Sequence, residues 1–478
     1  MRQIRSFYHL AFILLLTACG QNRPQPQPLG LNPDNPHYFI FRGRSEVLIG
    51  STEHYGAVLN LDFDYIKYLN ELDSCDLNIT RTFSGSYVEP YGAFGIVKNT
   101  LAPAPGRYIC PWARSNEPGY ANGGNKFDLT KWDDNYFTRL KDFVSQAGKR
   151  GIIVELDLFS NYYDTLKWNL CPMNIRNNVN NVGDYRDHNA ALSVDHTDLI
   201  EVEEKMVRKI VNELKDFDNV YYEVCNEPYF GDTAALRKWE KHMTAVVVDA
   251  EKDFTFRHLI SNNVANGSKL VPDVRPGVSI YNFHYAHPPV TVALNYHLDK
   301  VIGDNETGFN GIGDANYRTE AWNFMLAGGG LFNNLDYSFT AGNEDGSFVV
   351  QEGEPGGGGR SLRDQFKIMA GFLNSIDFIN MRPADSLRMT TTEQGTTLRA
   401  LSGKGNLLIA IYVQRHDTIP AITELQVDLT PGSYTFVWTD TKTGKETNGE
   451  IKYHQGGFAT IPSPVYSEDI AIRIAKSD

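Results

Sequence analysis

Between about residues 46 and 380, short apolar runs alternate with stretches whose apolar positions follow a helical period. Eight runs have the length and the β-branched or aromatic content of buried strands: EVLIG (46–50), LNITRTF (77–83), GIIVELDLF (151–159), VYYEVCN (220–226), HLISNN (258–263), VSIYNFHY (278–285), VIGDNE (301–306) and GLFNNLDY (330–337). Between them apolar residues recur at intervals of three and four, as at Leu236, Trp239, Met243, Val247 and Ala250 in the helix predicted over 233–252. This alternation predicts an α/β fold, a (β/α)8 TIM barrel carrying insertions. An open doubly wound sheet is the other arrangement it permits, but IGSTEHYG after the first strand lacks the spacing of a dinucleotide-binding glycine fingerprint.

Two connections are too long for simple strand-to-helix turns. The one after the second strand (about 84–129) holds Tyr87, Tyr91, Phe94, Tyr108, Trp112 and Tyr120, and the one after the third (about 160–195) holds Tyr162, Tyr163, Trp168 and Tyr185. On the active face of a barrel such rings either stack on sugar faces or form small loop cores, and at least one sugar platform is expected among them. The glycine-rich EGEPGGGGRS (352–361) reads as a mobile loop before a last helix over 362–376. Beyond about 385 the period falls to two, with TTLRALSG, NLLIAIYV, ELQVDL, SYTFVWTD and DIAIRIA separated by turn signals, which predicts a smaller antiparallel β-sandwich. The resulting division is a signal segment (1–18), a proline-rich spacer (19–36), a catalytic barrel (37–385) and the sandwich (386–478).

Charge and termini narrow the setting. The formal net charge is −13 at pH 7, which repels polyphosphates and excludes a nucleic-acid partner. Arg2 and Arg5 precede the apolar AFILLL, too short to span a bilayer, as in an export signal. Leu16-Thr17-Ala18-Cys19 then resembles the lipobox of bacterial lipoproteins, which implies cleavage before Cys19, lipidation of that cysteine and a membrane anchor. The expected location is the bacterial cell envelope at the outer membrane, facing the periplasm or the surface, with the protein a monomer. Prolines 24, 26, 28, 33 and 36 make the following segment an extended spacer. Of the remaining cysteines, Cys75, Cys110 and Cys171 leave pairing open, and Cys225 reads as a core thiol.

The chemistry sits where two apolar runs end in carboxylates. Strand four stops at Asn226-Glu227-Pro228 and strand seven at Glu306, and a barrel strand's C-terminal end opens on the active face. Two carboxyl groups facing each other across a mouth are the equipment of glycoside hydrolysis, one protonating the leaving oxygen while the other attacks the anomeric carbon. Other acids read differently: Asp304 and Glu320 as loop or helix-face charges, and Glu344 and Asp345 as loop acids for which a reach to the cleft rim is the lesser alternative.

With both glutamates in these places, residues 46 to 340 resemble the clan A glycoside hydrolases, most closely family five with its cellulases and mannanases. The resemblance implies Glu227 as acid/base, Glu306 as nucleophile, Arg81 beside the nucleophile, His284 on strand six and Asn226 bonding the sugar's 2-hydroxyl. A tyrosine commonly follows that histidine by two positions; Ala286 stands there, with Tyr285 adjacent. Strand eight offers Asn334, Asp336 and Tyr337 in place of the usual tryptophan. His54, after strand one, is a further candidate for the mouth. The implied activity is retaining, endo-type cleavage of β-linked glucan- or mannan-type polysaccharide or oligosaccharide, with carboxyl groups about 5 Å apart and no cofactor or metal. Two other classes compete: a non-catalytic glycan-binding lipoprotein, and a metal-dependent hydrolase using His284 and His287.

Overall fold

The computed structural model describes residues 27–229, 233–384 and 386–477. The signal segment and Cys19 therefore lie outside the described residues. Eight parallel strands form one sheet: β1 (Leu48–Thr52), β2 (Ile79–Phe83), β3 (Ile153–Ser160), β4 (Val220–Asn226), β5 (Ile260–Asn263), β6 (Ile280–His284), β7 (Val301–Thr307) and β8 (Leu331–Leu335). Neighbours in sequence pair in space, and β8 returns to β1 in parallel register. The remaining seam closes where the Asn78 N–H donates to the Ile49 carbonyl and the Asn78 side chain accepts from the Ile49 N–H. The result is the predicted (β/α)8 barrel.

Every β1 position is buried, and the strand begins two residues later than its apolar run suggests, because Arg44–Glu46 pairs with Phe39–Phe41 in a small sheet with Gly30–Leu31. That sheet covers the bottom of the barrel. Leu29, Phe39 and Phe41 cluster with Leu48, Ile79, Ile153, Tyr221, Ile280, Val301 and Leu331, each near the start of its barrel strand. Leu29, in the stretch read as spacer, is thus part of the packed fold.

The C-terminal strands form two antiparallel sheets, one of six strands running from Met381–Pro383 to Asp469–Lys476 and one of three. Strand alternation gives the larger sheet two buried faces. Ile409, Ile411 and Val413 face Leu425 and Val427 of the smaller sheet, while Ala410, Tyr412 and Ala471 join the barrel's core. Trp322 stacks on Tyr412 with ring centroids 5.6 Å apart, and the buried Arg318 binds both carboxylate oxygens of Asp469.

The glycine-rich stretch is packed, contrary to the mobile loop expected of it. Gly356 lies against the Gly308 carbonyl and the Tyr337 ring with no room for a Cβ, so glycine here serves close approach. The four described cysteines outside the signal are buried free thiols. Among the described residues no helix is long and apolar enough to cross a membrane.

Candidate active site

Three strand ends turn sharply into the mouth. Tyr55, Glu227 and Tyr285 adopt left-handed backbone conformations, with φ of 56°, 51° and 55°. Such values are costly for side chains of this size and recur at functional sites, where surrounding packing sustains them. At Glu227 the turn, followed by Pro228, swings the carboxylate out of the strand direction and over the barrel axis. The apolar run of β4 ends in polar residues because its end faces a cavity.

That cavity, about 260 Å³, is lined by His54, Tyr55, Glu89, Phe94, Tyr163, Asn226, Glu227, Asn266, Tyr285, Glu306 and Phe309, with Phe83 and Leu101 behind. One oxygen of Glu227, one of Glu306 and a ring nitrogen of His284 all lie within 4.8 Å of one another. His284 Nδ1 is 3.1 Å from Glu227 Oε1 and 3.6 Å from Glu306 Oε1. The Tyr229 hydroxyl also donates to Glu227 Oε1, as does Asn266 Nδ2 at 3.0 Å.

Glu306 is held from two other directions. Arg81 donates to its Oε2 at 2.9 Å, and the Tyr285 hydroxyl donates to its Oε1 at 2.7 Å. Tyr285 thereby supplies the tyrosine contact whose usual position is filled by Ala286. A shift of register after Phe283 and the left-handed turn at Tyr285 bring the adjacent residue to the place that a residue two positions on would otherwise reach.

Arg81 is fully buried and is shared among several acids. Its guanidinium reaches Glu155 at 3.2 Å, Asp157 at 2.8 Å and Glu223 at 2.7 Å, besides Glu306 and the Asn226 carbonyl oxygen at 2.8 Å. One cation cannot neutralise four carboxylates. Burial holds Asp157 well above the ordinary carboxylate range and raises Glu155 to about 8, with the neighbouring Glu223 adding to both. For Glu223 burial is outweighed by Arg81 and by the Asn282 amide, which hold it low.

The electrostatics of Glu227 and His284 are joint. Burial alone would raise Glu227, but His284, Tyr163 and Tyr229 outweigh it and drive the carboxyl well below its usual range. Burial alone would lower His284, but Glu306 and Glu227 outweigh it and raise the imidazole above its ordinary 6.5. One proton therefore lies on the Glu227–His284 pair, 3.1 Å from end to end.

His54 lines the cavity with Nε2 4.0 Å from Glu89 Oε2, and burial together with Arg81 lowers it to about 3, so it is neutral. Asn226 is oriented by Arg81, which occupies its carbonyl oxygen and leaves its amide donating to the Tyr163 hydroxyl at 2.8 Å. All the predicted site residues thus converge: Asn226, Glu227, Tyr285, Glu306 and His54 on the cavity, Arg81 and His284 directly behind it.

Two other expectations, those for Asp304 and Glu320, are corrected. Asp304 and Glu320 are buried acids, not surface charges: β7 is covered on its outer face by the helix Asp314–Leu326, every residue of which from Tyr317 onward is buried. Burial and the facing Glu320 hold Asp304 well above its ordinary range, and burial raises Glu320 to about 7. Glu344 does not reach the cleft rim; it accepts from the Asp64 and Gly342 N–H groups at the start of the helix Tyr65–Ser74. Tyr87, Tyr108, Trp112, Tyr120, Tyr162 and Trp168 are buried loop core, and of the two loops' rings only Phe94 and Tyr163 line the cavity.

Glu89 was missed by sequence reasoning. It comes from the long loop after β2, and the one available signal was a lone acid among small and aromatic residues in SGSYVEPYG.

Among the described residues, two groups of donors have the spacing of a metal site: Glu227, His284 and Glu306, and Glu155, Asp157 and Glu223. The second already encloses a cation, since Arg81 binds all three acids. In the first, His284 is knit to both glutamates, and His287, the other histidine of the proposed metal pair, is exposed away from it.

Residues 107–284 match the family model described as cellulase (glycosyl hydrolase family 5). No curated protein matches the chain. Among solved structures, a protein described as a glycoside hydrolase aligns over 94% of this chain and 97% of its own at 14% identity, with a TM-score of 0.64. A glycoside hydrolase family 5 from Bacteroides vulgatus ATCC 8482 aligns over 94% of this chain and 93% of its own, also at 14% identity, with a TM-score of 0.62. At that identity these likenesses speak for the fold, while the family match takes in Asn226, Glu227 and His284. The protein is accordingly a glycoside hydrolase, a hydrolase of O-glycosyl bonds, in which residues 107–284 are similar to the cellulase model of glycosyl hydrolase family 5.

Proposed function

We propose that the protein is a retaining β-glycosidase acting on glucan- or mannan-type chains by double displacement, with Glu306 as nucleophile and Glu227 as acid/base. The observation that carries this reading is the approach of the two carboxyl groups, with an oxygen of each inside a 4.8 Å group. Retaining enzymes hold these groups about 5–5.5 Å apart, whereas inverting ones leave room for a water.

The surroundings divide the roles. Glu306 receives hydrogen bonds from Arg81 and Tyr285 on its two oxygens, which fix the carboxylate in place for attack. Glu227 shares a proton with His284 and can pass it to the leaving oxygen. Its bonds from Tyr229 and Asn266 fix the carboxyl's orientation. Attack by Glu306 then gives a glycosyl ester, and Glu227, now a base, takes a proton from the incoming water as that ester is cleaved. Asn226, held by Arg81 through its carbonyl oxygen, would turn an amide N–H from Ser160 or Tyr163 to the 2-hydroxyl. Phe94 and Tyr163 offer faces to the sugar ring.

The reading includes attachment to the cell envelope through a lipid on Cys19. Palmitate labelling that persists in Cys19→Ser would remove that part of it.

Azide rescue tests the role assignment. Glu306→Ala should abolish hydrolysis and, with azide, give a glycosyl azide of inverted configuration. Glu227→Ala should spare aryl glycosides with good leaving groups and give the retained azide. The opposite stereochemistry would exchange the roles, and full activity in both variants would refute them.

A further inference from the structure

The cavity is open on one side of the glutamates and closed on the other. Its outer rim carries Phe94, Asn266 and Phe309, all exposed, with the two rings at 42% and 39%. Its inner end is formed by His54, Tyr55, Phe83, Glu89 and Leu101, all buried.

That inner end is an interlock of three loops. Glu53, itself buried, accepts from the Gly56 and Ala57 N–H groups and from the Thr100 hydroxyl, tying the loop after β1 to the loop after β2. The Thr100 carbonyl lies against Gly56 where a Cβ would find no room. Within the second loop Glu89 accepts from the Tyr87 hydroxyl at 2.9 Å and from Asn99, and its N–H donates to the Leu101 carbonyl. The stretch after β8 completes the wall, where Glu354 accepts from the Val97 N–H at 3.4 Å and Lys98 stands 4.6 Å from the centre of the Phe348 ring.

The wall stands on the Glu306 side. β8 pairs with β7, the strand of Glu306, and β1 pairs with β8, while Arg81, which donates to Glu306, stands 4.5 Å from the centre of the Tyr55 ring. The open side belongs to Glu227, which Asn266 and Tyr229 bond from the loops after β5 and β4. Because the leaving oxygen must meet Glu227, the ring at the closed end is the one whose anomeric carbon is attacked. At about 260 Å³ the cavity is smaller than the ~300–1,000 Å³ of typical ligand pockets, room for a ring and not for a run of rings.

We infer that the enzyme attacks chain ends, removing one sugar at a time from the non-reducing terminus, with His54, Tyr55 and Glu89 recognising the terminal sugar's hydroxyls. The inference rests on the glycosidase reading above and replaces the endo action that the likeness to cellulases suggested. His54 is a neutral ring on the cavity wall that can bond a hydroxyl, and the Glu89 oxygens have acceptor capacity beyond Tyr87 and Asn99.

The test uses pentasaccharides of β-1,4-linked glucose, mannose and xylose carrying a fluorophore at the reducing end, with the matching aryl β-glycosides run alongside. The expected first products are an unlabelled monosaccharide and a labelled tetrasaccharide, and the ladder then shortens one unit at a time. Early labelled mono- or disaccharide overturns the inference while leaving a hydrolase, and so does cleavage of aryl glycosides alone. No cleavage of any probe overturns the glycosidase reading and this inference together. On the sugar that is cleaved, Glu89→Ala should raise KM about tenfold with kcat changed much less, the loss of a hydrogen bond to a bound hydroxyl. An unchanged KM in a folded variant removes Glu89 from recognition, and with it this account of the closed end.

Discussion

Two layers of the same barrel interior obey opposite rules. At the bottom, Leu48, Ile79, Ile153, Tyr221, Ile280, Val301 and Leu331 close the barrel largely with hydrocarbon under Phe39 and Phe41. Two residues further along the strands stand Arg81, Glu155, Glu223, Asn282 and Asn333, and the hydrogen bonds run from strand to strand: Asn282 and Asn305 to both Glu155 and Glu223, Tyr221 to Glu155, Asn333 to the Asn305 carbonyl. Hydrocarbon packing is tolerant because its energy is spread over many weak contacts. A buried polar layer is intolerant, since each lost partner strands a charge or a dipole in a low dielectric. The lower layer holds the barrel shut, and the upper one fixes Arg81 and, through it, Glu306.

The largest expected effect therefore comes from Arg81→Met. It leaves Glu155, Asp157, Glu223 and Glu306 without their cation, so unfolding in urea should show a loss of about 3–5 kcal/mol. Hydrolysis of an aryl glycoside should fall by about 100-fold or more. Near-normal activity in a folded variant would break the link between the polar layer and the nucleophile.

The shared proton of Glu227 and His284 sets a pH dependence of opposite origin. Their pair must carry a proton for glycosylation, and His284 is raised above 6.5, so kcat/KM should fall on the alkaline side with its limb above pH 6.5. A limb at ordinary carboxylate pH would contradict the pair as the proton's holder.

Buried acids without a cation sharpen the contrast further. Glu320, raised to about 7, ionises in the unfolded chain near 4.5 but not in the fold, so stability falls as pH rises from 4.5 through 7. Glu320→Gln should remove that fall, gaining about 1–3 kcal/mol at pH 8 and nothing near pH 4 in paired denaturation curves. The smallest effect belongs to the hydrocarbon floor: Ile153→Val should cost about 0.5–1.5 kcal/mol in the same assay and leave kcat/KM unchanged.

What was legible in the sequence follows the same division. The strands were readable because burial on both faces demands continuous apolar runs, and Glu227 and Glu306 because each breaks such a run where a strand must open on the mouth. Asp304 deceived because it faces outward beneath a helix whose Glu320 is equally hidden, an arrangement with no periodic signature. Tyr285 could not be chosen over Ala286 without the positive φ and the register shift that redirect it. Glu53 and Glu89 lie in turns whose contacts span 47 residues to Thr100 and 10 to Asn99, and spacing along a strand says nothing of them.

The most direct test of Glu306 as the attacking group is to trap the covalent intermediate. A 2-deoxy-2-fluoro β-glycoside of the preferred sugar, bearing a good leaving group, should inactivate the enzyme. Peptide mass spectrometry should then find one glycosyl ester, on Glu306. An ester on Glu227, or turnover by inversion with no ester formed, would contradict the account.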